Sequence, residues 1–207
     1  MKYDKMNLSK FAKTDHPIHE LLSDRWSPTA FSSRPVPEED LRSLFEAIRW
    51  TASSYNEQPW RYILATQADH EGFERMLSCL TDTNVTWAKE APVLALACVR
   101  LTFDRSGQHN AAAEHDLGAA GASLTVEASA RGLRVHQMIG ILPDRAREQY
   151  GIPDDTRPLT VLAIGYEGDP AAASKEIRER DLAPRRRKPL SELVYEGYWG
   201  TASGLFT

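Results

Sequence analysis

The chain has 207 residues, 42% of them hydrophobic and 26% charged, enough apolar material for one domain to bury a substantial core. Its net charge of −4 argues against nucleic acid as the main partner. The two cysteines, Cys79 and Cys98, make neither a metal-binding spacing nor a framework of bridges, and the longest apolar run, residues 92–99, is far too short to span a bilayer. Residues 1–13 scatter their charges and lack the apolar core of a secretory signal, so a soluble, cytoplasmic protein with reduced thiols and no membrane partner is expected.

Residues 1–15 are polar and without period, and read as a loosely held arm ahead of a single domain over 16–207. His16 and His19 open a short helix that runs to Asp24; with no third ligand beside them they read as capping or surface residues rather than a metal site. Arg25-Trp-Ser27 follows, a charged fork and a hydroxyl suited to a phosphate, with Phe31 anchoring the segment in the core. Pro37 and three carboxylates start a helix that carries Leu41, Leu44, Phe45 and Ile48 on one face to about Ala52. Residues 60–65 read as a strand and 71–80 as a helix with Phe73, Met76, Leu77 and Leu80 inside. Residues 81–90 read as irregular, and 91–100 as a strand buried on both faces.

After a polar connection over 102–110, a helix spans about 111–131, with Gly132 placed to end it. Its Gly118, Gly121 and many alanines suggest a buried central helix, packed within one subunit or between two. Residues 133–137 and 160–166 read as strands, 144–150 as a helix, and 168–188 as an extended surface segment that closes on Arg185-Arg-Arg-Lys188. Tyr195, Tyr198 and Trp199 mark an aromatic tail. There is no G-x-G-x-x-G dinucleotide fingerprint and no G-x-S-x-G elbow.

Between the first long helix and the first strand lies Ser53-Ser-Tyr-Asn-Glu-Gln-Pro-Trp60. Ser53, Ser54, Asn56 and Gln58 supply donors and acceptors on a turn held by rigid elements, which suits the edge of a planar ligand but offers no activated nucleophile. An ordinary helix-to-strand turn would use the same residue types for local backbone bonds.

In chain order, Arg-x-Ser at 25–27, this Ser/Asn/Gln turn and Arg-x-Arg at 185–187 together resemble the nitroreductase family of flavin mononucleotide (FMN) enzymes, over roughly residues 15–199. Ala91-Pro92, Asp116, Gly118, Gly132 and Gly151-Ile-Pro153 agree with it. The resemblance implies an α+β fold with a central mixed β-sheet flanked by helices, a long buried central helix and an extended C-terminal tail, assembled as a homodimer with FMN at the subunit interface. It places Arg25, Trp26 through its backbone, Ser27 and Thr29 in the first FMN segment, and Arg185 and Arg187 on the same phosphate. Ser53, Ser54, Asn56 and Gln58 match the segment that one subunit presents to its partner's flavin, and Gln137, Met138, Ile139 and Gly140 the loop against the ring. Thr29 stands where the family often has a cation, and Ile141 where it often has Phe, which bears on reduction potential and pocket width.

The activity implied is hydride transfer from NAD(P)H through flavin N5 to an electron-poor acceptor, a nitroaromatic, quinone or similar small molecule, in two half-reactions without a catalytic side chain. A reductive dehalogenase or ring dehydrogenase, a flavin-sequestering protein without turnover, and a flavin-free interaction module stay open on sequence alone.

Overall fold

The computed structural model describes residues 10–206 and is organised around the apolar run that forms β2 (Val93–Arg100). Side chains of a strand alternate between its faces. Here Leu94, Leu96 and Cys98 enter one core while Val93, Ala95, Ala97 and Val99 enter another. A strand buried this way needs cover on both sides. On one side lie α2 (Glu38–Arg49) and α5 (Ala113–Ala130), through Leu41, Leu44, Leu117 and Leu124. On the other lie α3 (His70–Leu77), α4 (Asp82–Ala88) and α6 (Pro143–Tyr150), through Phe73, Met76, Trp87 and Ala146. Two short helices flank this body: α1 (Glu20–Asp24), capped by the His19 ring, and α7 (Lys175–Leu182), capped by the Ser174 hydroxyl.

β1 (Trp60–Thr66), β3 (Arg134–Met138) and β4 (Thr156–Gly165) complete a sheet of order β1-β2-β4-β3. The fold is α+β as expected, but every pairing is antiparallel, not mixed. Two connections explain the difference. Residues 81–90, expected to be irregular, contain α4, so the chain leaves β1 through two helices and returns to the same end of the sheet, with Thr66 opposite Val93. β2 and β3 do run parallel across α5, but β4 inserts between them and pairs with both.

Helix α5 buries Leu117, Ala120, Gly121, Leu124 and Ala128, and within one chain leaves Gly118, Ala122 and Ala130 on its outer side exposed. Two expectations change. The segment 168–188 is not extended throughout: it holds α7, whose one buried residue is Asp181. Residues 1–9 of the expected arm lie outside the described residues, while the next few are held, not loose. Lys10 Nζ donates to the Ala183 carbonyl at 2.6 Å and the Ala12 N–H to that of Ser23 at 2.9 Å. No described helix is long and apolar enough to cross a membrane.

The approach of α7 depends on a close crossing at Gly168. Its N–H donates to the Ala30 carbonyl at 3.0 Å, and a β-carbon there would stand 2.7 Å from the Phe31 backbone carbon and oxygen. Backbone atoms paired in a bridge, as Phe31 is with Glu167, cannot swing aside. Gly168→Ala is therefore expected to cost about 2–3 kcal/mol, seen as a fall of several degrees in the thermal unfolding midpoint. An unchanged midpoint would show that this crossing is loose.

Candidate functional site

Residues 10–27 and 180–187, far apart in the sequence, converge on one basic cleft. The N–H and hydroxyl of Thr29 and the N–H of Ala30 all donate to Asp181, at 2.7–3.0 Å, and its side chain is almost wholly buried. A buried carboxylate that collects several donors makes strong charge-assisted bonds, and here they pin α7 to the segment after α1. The chain leaving α7 is then braced from the other side. Arg185 Nη1 donates to the carbonyls of Lys10 and Ser23 at 2.8 and 2.7 Å, and Lys10 Nζ lies 4.9 Å from the centre of the buried Trp26 ring.

The outcome is an open cleft of about 260 Å³ whose walls include Arg25, Ser27, Arg180, Arg185 and Arg187. Ser27 is exposed at its mouth, with Arg25 Nη1 3.3 Å from the hydroxyl. The arginines press on one another. Burial, then Arg187 and Arg134, lower the proton affinity of Arg25 below its ordinary value. Burial, then Arg25 and Arg187, do the same to Arg185. The nearby Asp24 carboxylate, itself held by Arg134 through two bonds of 2.7 and 3.0 Å, offsets only part of this at Arg185. Forked cations crowded in a partly desolvated cleft beside an exposed hydroxyl are chemically suited to a dianion such as phosphate.

Of the residues expected in the first segment, Arg25, Trp26 and Ser27 line this cleft, together with Arg185 and Arg187. Thr29 is different: it is 1% exposed, and both its donors are spent on Asp181. Its role here is to hold α7, a helix the sequence did not reveal. Asp181, Lys10 and Arg180 carry no motif, and only the spatial meeting of segments more than 150 positions apart brings them into the site.

The Ser/Asn turn sits elsewhere. Ser53, Ser54, Asn56 and Gln58 take no part in lining the basic cleft of their own chain. They lie in and around a short 3₁₀ turn, Ser54–Asn56, and across this stretch Tyr55, Asn56 and Gln58 have φ of 54, 56 and 49°. Left-handed backbone costs a residue with a β-carbon about 1–2 kcal/mol, and such strain tends to collect where function requires a fixed shape. Three attachments sustain it: the Ser54 N–H donates to buried Asp116 on α5 at 3.0 Å, the Gln58 N–H to the Ser53 hydroxyl at 3.0 Å, and Gln58 Nε2 to the Asn56 carbonyl at 3.0 Å. Outside, Tyr55 packs edge-on against Phe103 and beneath the Arg105 guanidinium, both from the polar connection 102–110. Asp116→Ala should release the Ser54 N–H and cost about 1–2 kcal/mol. Faster amide exchange at residues 54–58 than in the unchanged chain would be the signature, and unaltered exchange would refute this brace.

The end of β3 supplies the last expected group. Gln137 turns toward α5, Nε2 donating to the Gly121 carbonyl at 3.1 Å, and a β-carbon on Gly121 would crowd its amide at 2.9 Å. Met138 is buried, Ile139 is 76% exposed, and the Gly140 carbonyl accepts from Asn84 Nδ2 at 2.9 Å and from the Thr81 N–H at 3.1 Å. Helix α4 thus fixes the loop from below and leaves Ile139 facing outward. One residue back, His136 faces the other side of the sheet. Its ring packs 4.4 Å from that of Trp87, Nδ1 lies 2.7 Å from the Pro28 carbonyl and Nε2 3.5 Å from Arg180. Burial foremost keeps its proton affinity low.

An antiparallel sheet between helical layers, with a basic cleft made from segments near both ends of the described chain, defines an α+β protein. The sequence profile of the nitroreductase family matches residues 22–166, and the chain belongs to that family of oxidoreductases. An uncharacterised 15.4 kDa protein of Mycolicibacterium smegmatis is 39% identical over 133 residues, 64% of this chain and 88% of its own length. A putative NADH dehydrogenase/NAD(P)H nitroreductase of Stenotrophomonas maltophilia is 24% identical over 173 residues, 74% of this chain and 86% of that one. A solved structure described as an oxidoreductase containing FMN superposes with a TM-score of 0.85 at 34% identity, over 90% of this chain and 95% of that one.

Proposed function

We propose that the protein is an FMN-dependent oxidoreductase that draws on NAD(P)H and reduces an electron-poor small molecule, such as a nitroaromatic or quinone, and that it works as a homodimer. The observation that carries this reading is the cleft in which Arg25, Arg185 and Arg187 crowd together beside Ser27. Bound FMN would supply the redox chemistry, accepting hydride from NAD(P)H and passing it to the acceptor.

The chain's own residues bind and orient. Arg25, Arg185 and Arg187 neutralise the flavin phosphate, and the Ser27 hydroxyl adds a donor. The Gln137, Met138, Ile139 and Gly140 run is held at the ring, where Ile139 gives an apolar surface and the backbone gives polar groups. Ser53, Ser54, Asn56 and Gln58, absent from the cleft of their own chain, serve that of the neighbouring protomer. Two surfaces support the dimer: the small-residue outer side of α5, where Gly118 and Ala122 permit close approach, and the tail, in which Tyr198 and Trp199 are 83% and 93% exposed. The neighbour that contains FMN and the relative named for NAD(P)H point the same way.

A visible absorption spectrum of the purified protein, taken before and after anaerobic NAD(P)H, tests the reading. Flavin bands that bleach on reduction are the expected result. Bands that persist would leave a flavin-holding protein without this reductant, and their absence after added FMN would overturn the assignment.

A further inference from the structure

Arg180 occupies the last turn of α7, one residue before Asp181. The bonds that Thr29 and Ala30 give to Asp181 leave α7 little freedom to roll, so Arg180 is delivered to the cleft wall beside Arg25, Arg185 and Arg187. The carboxylate next to it is not its partner, because Asp181 is occupied by those three donors.

Its guanidinium instead lies 3.5 Å from His136 Nε2. A carbonyl only accepts, so the 2.7 Å approach of His136 Nδ1 to the Pro28 carbonyl places the imidazole proton on Nδ1 and leaves Nε2 with a lone pair toward Arg180. The ring cannot turn away, being packed on Trp87. A long bond to a neutral acceptor holds the guanidinium in place while committing little of its five-donor fork. Lys10 shares the cleft but not this freedom: its ammonium is taken by the Ala183 carbonyl and the Trp26 face.

We propose that Arg180 is a further ligand of the phosphate in this cleft, held ready by His136 and turned onto the dianion when the ligand binds. The proposal rests on the flavin reading for the identity of the phosphate's carrier. It adds a fourth cation to the three that the motifs supply, on a helix that no motif marks.

Fluorescence titrations of the apoprotein with FMN and with riboflavin, which lacks the phosphate, provide the test, using Arg180→Gln and Arg180→Lys. Loss of one charge-assisted bond should raise the FMN Kd about tenfold or more in Arg180→Gln. The riboflavin Kd should stay unchanged, and Arg180→Lys should recover part of the loss. A wild-type protein that prefers FMN, with the same preference retained in Arg180→Gln, overturns the role of Arg180 alone, as does equal weakening of both flavins. A wild-type protein with no preference for FMN over riboflavin overturns the flavin-phosphate reading and this proposal with it.

Discussion

Asp181→Ala is expected to lower the thermal unfolding midpoint by roughly 10 °C, the largest stability effect of any single substitution in the site. Asp181 is 2% exposed and receives the Thr29 N–H, the Thr29 hydroxyl and the Ala30 N–H. Truncation strands all three donors in a region from which water is excluded. A buried donor without a partner costs about 1–3 kcal/mol. Three in one network do not add fully, which places the total near 3–5 kcal/mol. Thr29→Val removes only the hydroxyl and should cost about 1 kcal/mol. Combining the two should cost less than their sum, because the hydroxyl has no acceptor left to lose. The same change frees α7 from the first segment, so affinity for a phosphorylated ligand should fall together with stability. A midpoint within a degree or two of wild type would mean that water or another donor set replaces the carboxylate, and the account of how the cleft is built would fail.

What the sequence disclosed, and what it hid, follows from where the stabilising energy resides. β2 was legible because a strand with cores on both faces writes itself as an unbroken apolar run. α2 was legible from its acidic first turn and its spaced Leu41, Leu44 and Ile48. α7 was not, because its one buried residue is a carboxylate and its stability comes from donors on Thr29 and Ala30, some 150 positions away. α4 was masked by Asp, Thr and Asn, residues that favour turns and caps, with only Trp87 and Ala88 buried to mark a face. The site divides along the same line. Arg25, Arg185 and the Ser/Asn turn are each weak signals alone and stood out only through their order along the chain, which carries the family resemblance. Lys10, Arg180 and Asp181 are ordinary residues in polar segments, and only the fold brings them together. The insertion of β4 between β2 and β3 belongs to the same class, since strand order is decided by packing across the whole sheet.

Arg25→Met should move folding and ligand binding in opposite directions. Met nearly matches the length of the Arg stem and carries no charge. In the folded chain, burial and then Arg187 and Arg134 push the proton affinity of Arg25 down. For a base, a folded-state pKa below the unfolded value means that the folded state penalises the protonated form. The penalty applies wherever the group is protonated, and for a guanidinium that covers the whole working pH range. Removing the charge should therefore leave the apoprotein with an equal or higher unfolding midpoint at any pH from 6 to 9. Binding should respond the other way. On the flavin reading, the phosphate loses a forked, charge-assisted partner worth about 2–3 kcal/mol, so the FMN Kd should rise about 30- to 150-fold. Ligand at 100 times its Kd stabilises a protein by about 2.7 kcal/mol, and a hundredfold weaker Kd removes most of that gain. At a fixed FMN concentration chosen in this way, the variant's midpoint should fall below that of the wild type, whereas without ligand it should not. Differential scanning fluorimetry with and without FMN reads both signs at once. A drop in the apoprotein midpoint would make Arg25 a structural brace. An undiminished FMN shift would mean that the phosphate lies somewhere other than this cleft.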